Sequence, residues 1–387
     1  VVAVALASLT LLPAVLVALG DRVLVSKGET DMDRAAEGRW ARWTGAALKR
    51  PGITLAVGLA LLLGLAAPAL GMKLGMPGAR VVDRGYSSRD GYEMVVSAFG
   101  DGAAAPAFIT AAKEDTERVS AIAAQDPNVV DVRVAGESTD GSRGAVRVTG
   151  LTGPEESETG AMVERLRTAL DAEVPTAVVG GPASQNHDLT DVLTGKAPIA
   201  IGIIMVIAFG LLLVVFRSLA IALSSIVLNL ISVAASFGFA TIVFQHGIGA
   251  NLIGIEHQGF VDAWAPLFFF ALLFGLSMDY QLFLLAAIRE RYESTGDTQQ
   301  AIRQGISMTG RPITNAALIM IVVFVAFGVT GPIPPTELGV TLAMAVLLDA
   351  TIVRMMLVPS LMGLLGERNW WIPAWLAKRL PKVNFSH

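Results

Sequence analysis

The chain contains no cysteine. A disulfide-stapled secreted module is therefore excluded, and the protein is indifferent to the redox state of its compartment. Charge is also scarce: Asp, Glu, Lys and Arg make up 16% of the residues, against about 25% in ordinary soluble domains. That deficit excludes a typical cytosolic enzyme, and it excludes disorder. No basic surplus points to nucleic acid, since 29 Lys and Arg face 33 Asp and Glu for a net charge of −4. The four histidines, His187, His246, His257 and His387, show no metal-ligand spacing, so no metal is expected. Gly195-Lys196 lacks the upstream glycine and following hydroxyl of a phosphate-binding loop, and no G-x-S-x-G elbow occurs. Neither ATP-driven transport within this chain nor hydrolase chemistry is supported, and no cofactor is implied.

What the sequence has instead is apolar length. Hydrophobic residues are 53% of the total, and the mean hydropathy is +0.60. Residues 197–216, 218–244 and 312–336 are free of charge, residues 263–288 hold a single aspartate, and residues 338–366 hold only Asp349 and Arg354. A helix needs about 20 apolar residues to cross a bilayer. These five runs and residues 52–72 therefore read as spans of a multi-pass membrane protein. Residues 1–20 read as a seventh span. They have no basic leader region and no small-residue cleavage site, and the chain opens without an initiator methionine. The expectation is a fragment.

Short basic loops mark the cytoplasmic side. Residues 21–51 carry Arg22, Lys27, Arg34, Arg39, Arg42, Lys49 and Arg50. Arg217 sits between two spans, residues 289–311 hold four arginines, and the tail holds Arg368, Lys378, Arg379 and Lys382. Residues 245–262 and 331–337 have neither Lys nor Arg. The expected division follows: 1–20 as the last span of a missing first repeat, 21–51 as a cytoplasmic linker, 52–72 as a span, 73–195 outside the membrane, 196–366 as a five-span bundle and 367–387 as a cytoplasmic tail. Trp40, Trp43, Trp370, Trp371 and Trp375 among the basic residues suggest interfacial amphipathic helices. Within 73–195 the pattern reads α-β-α-β-β-α-β. Ser88 and Asp115 are expected as helix caps, strands are expected at 107–111, 129–135, 145–150 and 177–179, and Met162, Leu166 and Leu170 line one helix face.

A repeat supports the idea of duplicated halves. Leu12-Pro13 through Gly20-Asp21-Arg22 lines up with Val358-Pro359 through Gly366-Glu367-Arg368 at an offset of 346. Duplication of this kind is common in secondary transporters.

Intramembrane acids carry the chemistry. Asp279 lies ten residues before Arg289, which puts it about 15 Å inside its helix. An ionised carboxylate there costs about 2.5–3.5 kcal/mol on insertion scales, so it must meet a partner or water. The functional reading is a proton relay, with the Tyr280 hydroxyl able to donate to a facing carboxylate. Gly275 and Ser277 are small enough to admit a neighbouring helix. Asp349 is the second such acid. Arg354 follows at the unfavourable spacing of five, so it pairs across helices or snorkels. That couple reads equally as a structural ion pair or as a transport site. Asn229, Ser232 and Ser236 share one helix face and read as interhelical packing, as do Thr314 and Asn315. Pro332, Pro334 and Pro335 read as a rigid outer turn.

Phe274-Gly-Leu-Ser-Met-Asp-Tyr280, Arg289-Glu-Arg-Tyr292, Thr309-Gly-Arg-Pro-Ile-Thr314, Leu348-Asp-Ala-Thr-Ile-Val-Arg354 and Val215-Phe-Arg-Ser218 together resemble the mycobacterial-membrane-protein-large (MMPL) branch of the resistance-nodulation-division (RND) transporters, over nearly the whole chain. The resemblance implies an RND-type membrane α-helical bundle with an inserted extracytoplasmic α+β porter domain, in which this chain is the C-terminal half. It implies proton-driven export of lipids or other hydrophobic compounds across the inner (plasma) membrane. The partners are then protons, membrane lipids, a hydrophobic substrate and the missing N-terminal half. By the same resemblance Asp279 and Tyr280 match one of two facing Asp-Tyr relay pairs, and Gly275, Leu276 and Phe283 match channel-lining positions. Gln281 stands where the family motif often has Glu. The rival reading is a non-transporting scaffold or receptor of the same superfamily, which would have no need of a titratable group in mid-membrane.

Overall fold

The computed structural model describes residues 2–19, 39–82, 85–252, 254–255, 257–329 and 331–381. Arg22, Lys27, Arg34, Lys382, His387 and the Gly20-Asp21-Arg22 end of the repeat lie outside them. Helix α1 (Val2–Leu19) carries Pro13 inside it, and its Leu9, Leu11 and Val17 are exposed. Helix α2 (Arg39–Lys49) buries Thr44 and Ala47, and the indole of Trp43 donates to the Met355 carbonyl at 2.9 Å. It therefore packs on the bundle through that face. Helix α3 (Pro51–Ala66) begins on Pro51, whose missing N–H costs nothing in a first turn. It tightens into a 3₁₀ turn at Ala67–Gly71.

The chain then forms β1 (Leu74–Gly75), α4 (Ser87–Phe99), β2 (Ala107–Ala112), α5 (Thr116–Ala123), β3 (Val129–Glu137), β4 (Arg143–Gly150), α6 (Ser157–Glu173) and β5 (Val178–Gly180). Strands order as β3-β4-β2-β5, every pairing antiparallel. Ala107, Ile109 and Ala111 alternate inward as a pleated strand requires. They meet Val119 of α5 and Met162, Leu166 and Leu170 of α6 in one closed core. Ser88 is not a cap: it lies inside α4, and the carboxylate of Asp90 takes the Gly85 N–H at 3.3 Å instead. Asp115 stands at the N-cap of α5 without a side-chain cap bond, and the Thr116 hydroxyl donates back to the Lys113 carbonyl.

Helix α7 (Pro182–Phe216) runs 35 residues without interruption, about 52 Å. No break separates its polar first half from its apolar second half, so the boundary expected at 195/196 falls inside one rod. Arg167 of α6 forks onto Asp188 of α7 at 2.5 and 2.8 Å, joining sheet and rod. The rod stops where Arg217 takes a left-handed backbone (φ 47). Its guanidinium then reaches the carbonyls of Ala377, Leu380 and Pro381 at 2.7–2.8 Å. Ser218 caps α8 (Leu219–Ala240) by accepting the Ile221 N–H. A π turn at Thr241–Gln245 follows. The Gln245 side chain bridges the Gly71 carbonyl and the Lys73 N–H at 3.0 and 2.7 Å. Strand β6 (Val261–Asp262) pairs in parallel with β1.

Helices α9 (Ala265–Thr295), α10 (Thr298–Gly328) and α11 (Ile333–Leu348) complete the bundle. A π segment (Asp349–Leu357), α12 (Val358–Leu365) and α13 (Ala374–Ala377) follow. Among the described residues, six helices are long and apolar enough to cross a membrane. The stretch 289–311 is not a loop: helix continues to Thr295 and resumes at Thr298, capped by Asp297. The prolines at 334 and 335 are not an outer turn either. They occupy the first turn of α11, where proline is tolerated, and the preceding span ends at Gly328. Trp370 stacks on Tyr292 at 4.7 Å under the Arg289 guanidinium, whereas Trp371 and Trp375 are exposed. A β-carbon on Gly238 would fall 1.8 Å from the Leu65 carbonyl oxygen, so α8 and α3 meet backbone to backbone.

Candidate functional site

Three helices converge polar side chains on the middle of the bundle. Asp349 and Arg354 come from the π segment after α11, Ser277 and Tyr280 from α9, and Asn229 from α8. Around an α-helix, residues five apart are about 140° out of line. A π-helix closes i→i+5 bonds and brings them onto one side. That local backbone resolves the awkward spacing: Arg354 neither snorkels nor depends on another helix for its carboxylate. Its Nε donates to Asp349 Oδ2 at 2.8 Å and its Nη2 lies 2.6 Å from the same oxygen. Arg354 is 1% exposed, so this is a buried pair, which holds only when both charges are well bonded.

The remaining bonds extend across the bundle. Arg354 Nη2 also donates to the backbone carbonyl of Ser277, and to its hydroxyl at 3.2 Å. The Ser277 hydroxyl in turn bonds Asn229 Oδ1, and Asp349 Oδ1 at 2.9 Å. The Arg354 guanidinium lies 5.1 Å from the centre of the Tyr280 ring, a cation–π distance. The Tyr280 hydroxyl points to Met320 Sδ of α10 at 3.4 Å. Arg354 Nη1 and Asn229 Nδ2 are buried donors with no acceptor among the described residues. Both residues line a cavity of about 20 Å³, about the room one water needs. Chemically, the arrangement is a charge-paired carboxylate wired by a hydroxyl to two neighbouring helices.

Asp279 is not part of this network. One residue turns an α-helix by about 100°, so Tyr280 faces the cluster while Asp279 is exposed on another side of α9. Phe268, Leu272, Gly275 and Phe283 share that exposed stripe. Among the described residues, no side chain bonds the Asp279 carboxylate. Of the three residues expected along a channel, Leu276 lines the small cavity, whereas Gly275 and Phe283 lie on the exposed stripe with Asp279. Gln281 turns inward, and its amide donates to the Ser225 hydroxyl at 2.7 Å.

Sequence reasoning gave Ser277 and Asn229 only packing roles. Both carry polar bonds across helices. The available signal was their depth: a hydroxyl and an amide in mid-span must find polar partners. Ser236 does behave as a packing residue, bonding the Ser232 carbonyl of its own helix at 2.9 Å.

A second, larger cavity of about 750 Å³ opens between the sheet unit and the segment before α9. Lys73, Met76, Arg80, Glu155, His187 and Phe260 are among its lining. Its size falls within the range of small-molecule pockets. Burial pushes the Glu155 carboxyl above the usual range, with Arg80 opposing. Among the described residues, no cluster of His, Asp or Glu could hold a metal ion.

The model of the MMPL family matches residues 89–383. A mycolic acid-containing lipids exporter, MmpL11 of Mycolicibacterium smegmatis, is 36% identical over 98% of this chain and 42% of its own length. A heme uptake protein, MmpL11 of Mycobacterium tuberculosis, is 37% identical over 90% of this chain and 37% of its own length. The trehalose monomycolate exporter MmpL3 of Mycolicibacterium smegmatis is 27% identical over 92% of this chain and 36% of its own length. The chain thus spans less than half the length of these relatives.

Proposed function

The chain belongs to the MMPL family of membrane transport proteins, and on that premise we propose that it forms the C-terminal half of a proton-motive-force-driven exporter of lipids or other hydrophobic compounds. The observation that carries this reading is the bonded set Asp349, Arg354, Ser277 and Asn229 beside the exposed Asp279 of α9. A carboxylate exposed on the side of a membrane span costs energy wherever lipid covers it. In this reading the stripe of Phe268, Gly275, Asp279 and Phe283 packs against the other half of the full-length protein, and Asp279 exchanges a proton there. Tyr280 and Arg354 tie that face to the Asp349 cluster, so a change of charge at Asp279 is felt by three helices.

The α+β unit over 73–195 is the porter domain on the outer side, and the 750 Å³ cavity beside it receives cargo. The arginines around the α9–α10 turn and the basic tail support a cytoplasmic placement of the opposite end, and hence the inner membrane. Cargo is assigned by class alone, because relatives named for lipid export and for heme uptake are both similar to this chain.

The test is transport by the full-length protein in proteoliposomes under an imposed proton gradient. Asp279→Asn should abolish gradient-driven lipid export while leaving protein abundance and lipid binding unchanged. Export at the wild-type rate from that variant would refute the relay.

A further inference from the structure

Two other carboxyl groups are buried without a cation, at the end of the bundle away from the α9–α10 turn. Asp262 of β6 and Glu337 of α11 are each 0% exposed. The Asp262 backbone N–H donates to Glu337 Oε1 at 3.4 Å. The two oxygens of the Asp262 side chain accept separately, Oδ1 from Gln258 at 3.5 Å and Oδ2 from the Trp264 indole at 3.1 Å. Among the described residues, Glu337 Oε2 has no partner, nor has the hydroxyl of Thr341 one turn further along α11. A fully buried carboxylate oxygen left without a donor is costly unless it carries a proton.

Among the described residues, the surroundings supply no compensating charge. Among the described residues, Asp262 is the charged group that acts on Glu337. Helix α8 and the facing stretches of α9 before Asp279 and of α10 after Pro312 contain no charged residue. On the β1 side Lys73 lines the large cavity, as does His257 of the preceding segment. Burial pushes the Asp262 carboxyl up to about 6, against the lowering effect of Trp264 and Gln258.

We propose that Asp262 and Glu337 form a second proton-binding site, separate from Asp279 and Asp349, in which the pair holds one proton and its release loosens β6 from α11. The doubly bonded Asp262 is the ionised member and Glu337 the neutral one. Releasing the proton leaves two adjacent buried carboxylates, a state that like-charge repulsion disfavours. Relief comes by breaking the Asp262–Glu337 contact and wetting the segment 257–262. That segment is hooked to β1 through Leu74↔Val261 and Gly75↔Asp262, so the proton controls the tie between the exit of α3 and the start of α9. Glu337 is twelve residues from Asp349, about 18 Å along the helix. The two sites are therefore distinct in space, and this inference stands whether or not the chain exports.

The test combines infrared difference spectroscopy with hydrogen exchange, on the full chain in lipid nanodiscs. At neutral pH the wild type should show a protonated-carboxyl band that Glu337→Gln removes and Asp279→Asn leaves. In the wild type, opening of 257–262 should rise about tenfold per pH unit from the ordinary carboxyl range up to the titration of the buried pair and level off above it, as release of one proton on opening requires. In Glu337→Gln, whose amide stays neutral, that dependence should vanish. Asp262→Asn serves if Glu337→Gln fails to fold: it should keep the band and lose the pH dependence. A band that survives Glu337→Gln, or the wild-type pH dependence persisting in either variant, would overturn the proposal. So would sodium-dependent protection of 257–262 with no protonated band, which would identify a cation site instead.

Discussion

Replacing Arg354 by Met should be far more damaging than replacing Arg354 and Asp349 together. The single change removes two contacts to Asp349 Oδ2, two to Ser277 and the stacking on Tyr280. It leaves the Asp349 carboxylate, 8% exposed, with one hydrogen bond from Ser277 and no cation. Breaking one side of a buried pair costs about 3–5 kcal/mol, mostly as the penalty of the orphaned charge. The double variant Arg354→Met/Asp349→Leu has no orphaned charge. The Ser277 hydroxyl loses Asp349 and Arg354 but keeps its bond to Asn229, so the group left without a partner is the Ser277 backbone carbonyl, about 1 kcal/mol. Unfolding free energies measured by SDS titration in mixed micelles should therefore place the double variant well above either single one, with strong coupling between the sites. A double variant as unstable as the sum of the two singles would refute the argument. It would mean that the pair is worth more as packing than it costs as charge.

Two further outcomes follow from the fold. Gly238→Ala should push α8 off α3, because the new methyl would sit 1.8 Å from the Leu65 carbonyl oxygen. A loss of about 1–3 kcal/mol, the usual cost of overpacking, is expected in the same titration, and an unchanged midpoint would count against the close approach. Direct bonding by Arg167 holds the Asp188 carboxyl below its usual range. The tie from α6 to α7 is then complete above about pH 4 and is lost as pH falls through that lowered value. Arg167→Ala should remove this acid-side dependence of protection in residues 182–190 when hydrogen exchange is followed against pH.

The apolar runs made the spans legible, because about 20 uncharged residues in succession have few alternatives to a membrane helix. The sheet unit was legible for a similar reason. Alternation in 107–111 and the four-residue spacing of Met162, Leu166 and Leu170 each fit a single period, and these residues share one core. The pairing of Asp349 with Arg354 was not legible, since spacing arguments assume α-helical pitch and the segment is π. Nor was the divergence of Asp279 from Tyr280, because adjacency in sequence says nothing of which flank another helix covers. The start of α11 was not legible either, because Pro332, Pro334 and Pro335 read as an outer turn. Proline fits a first helical turn as readily as a bend, and only tertiary packing decides between them.

Arg217 gives the end of the chain a mechanical role. Its guanidinium grips three carbonyls that lie 160–164 residues further on, from the elbow between α7 and α8. A pull applied at Pro381 is thus carried first to that elbow and not along the last span. The elbow is also where the 35-residue rod from the sheet unit ends. Tension on the segment around Pro381 and displacement of the sheet unit therefore meet at one hinge, 35 residues of rod away from where the sheet unit begins it.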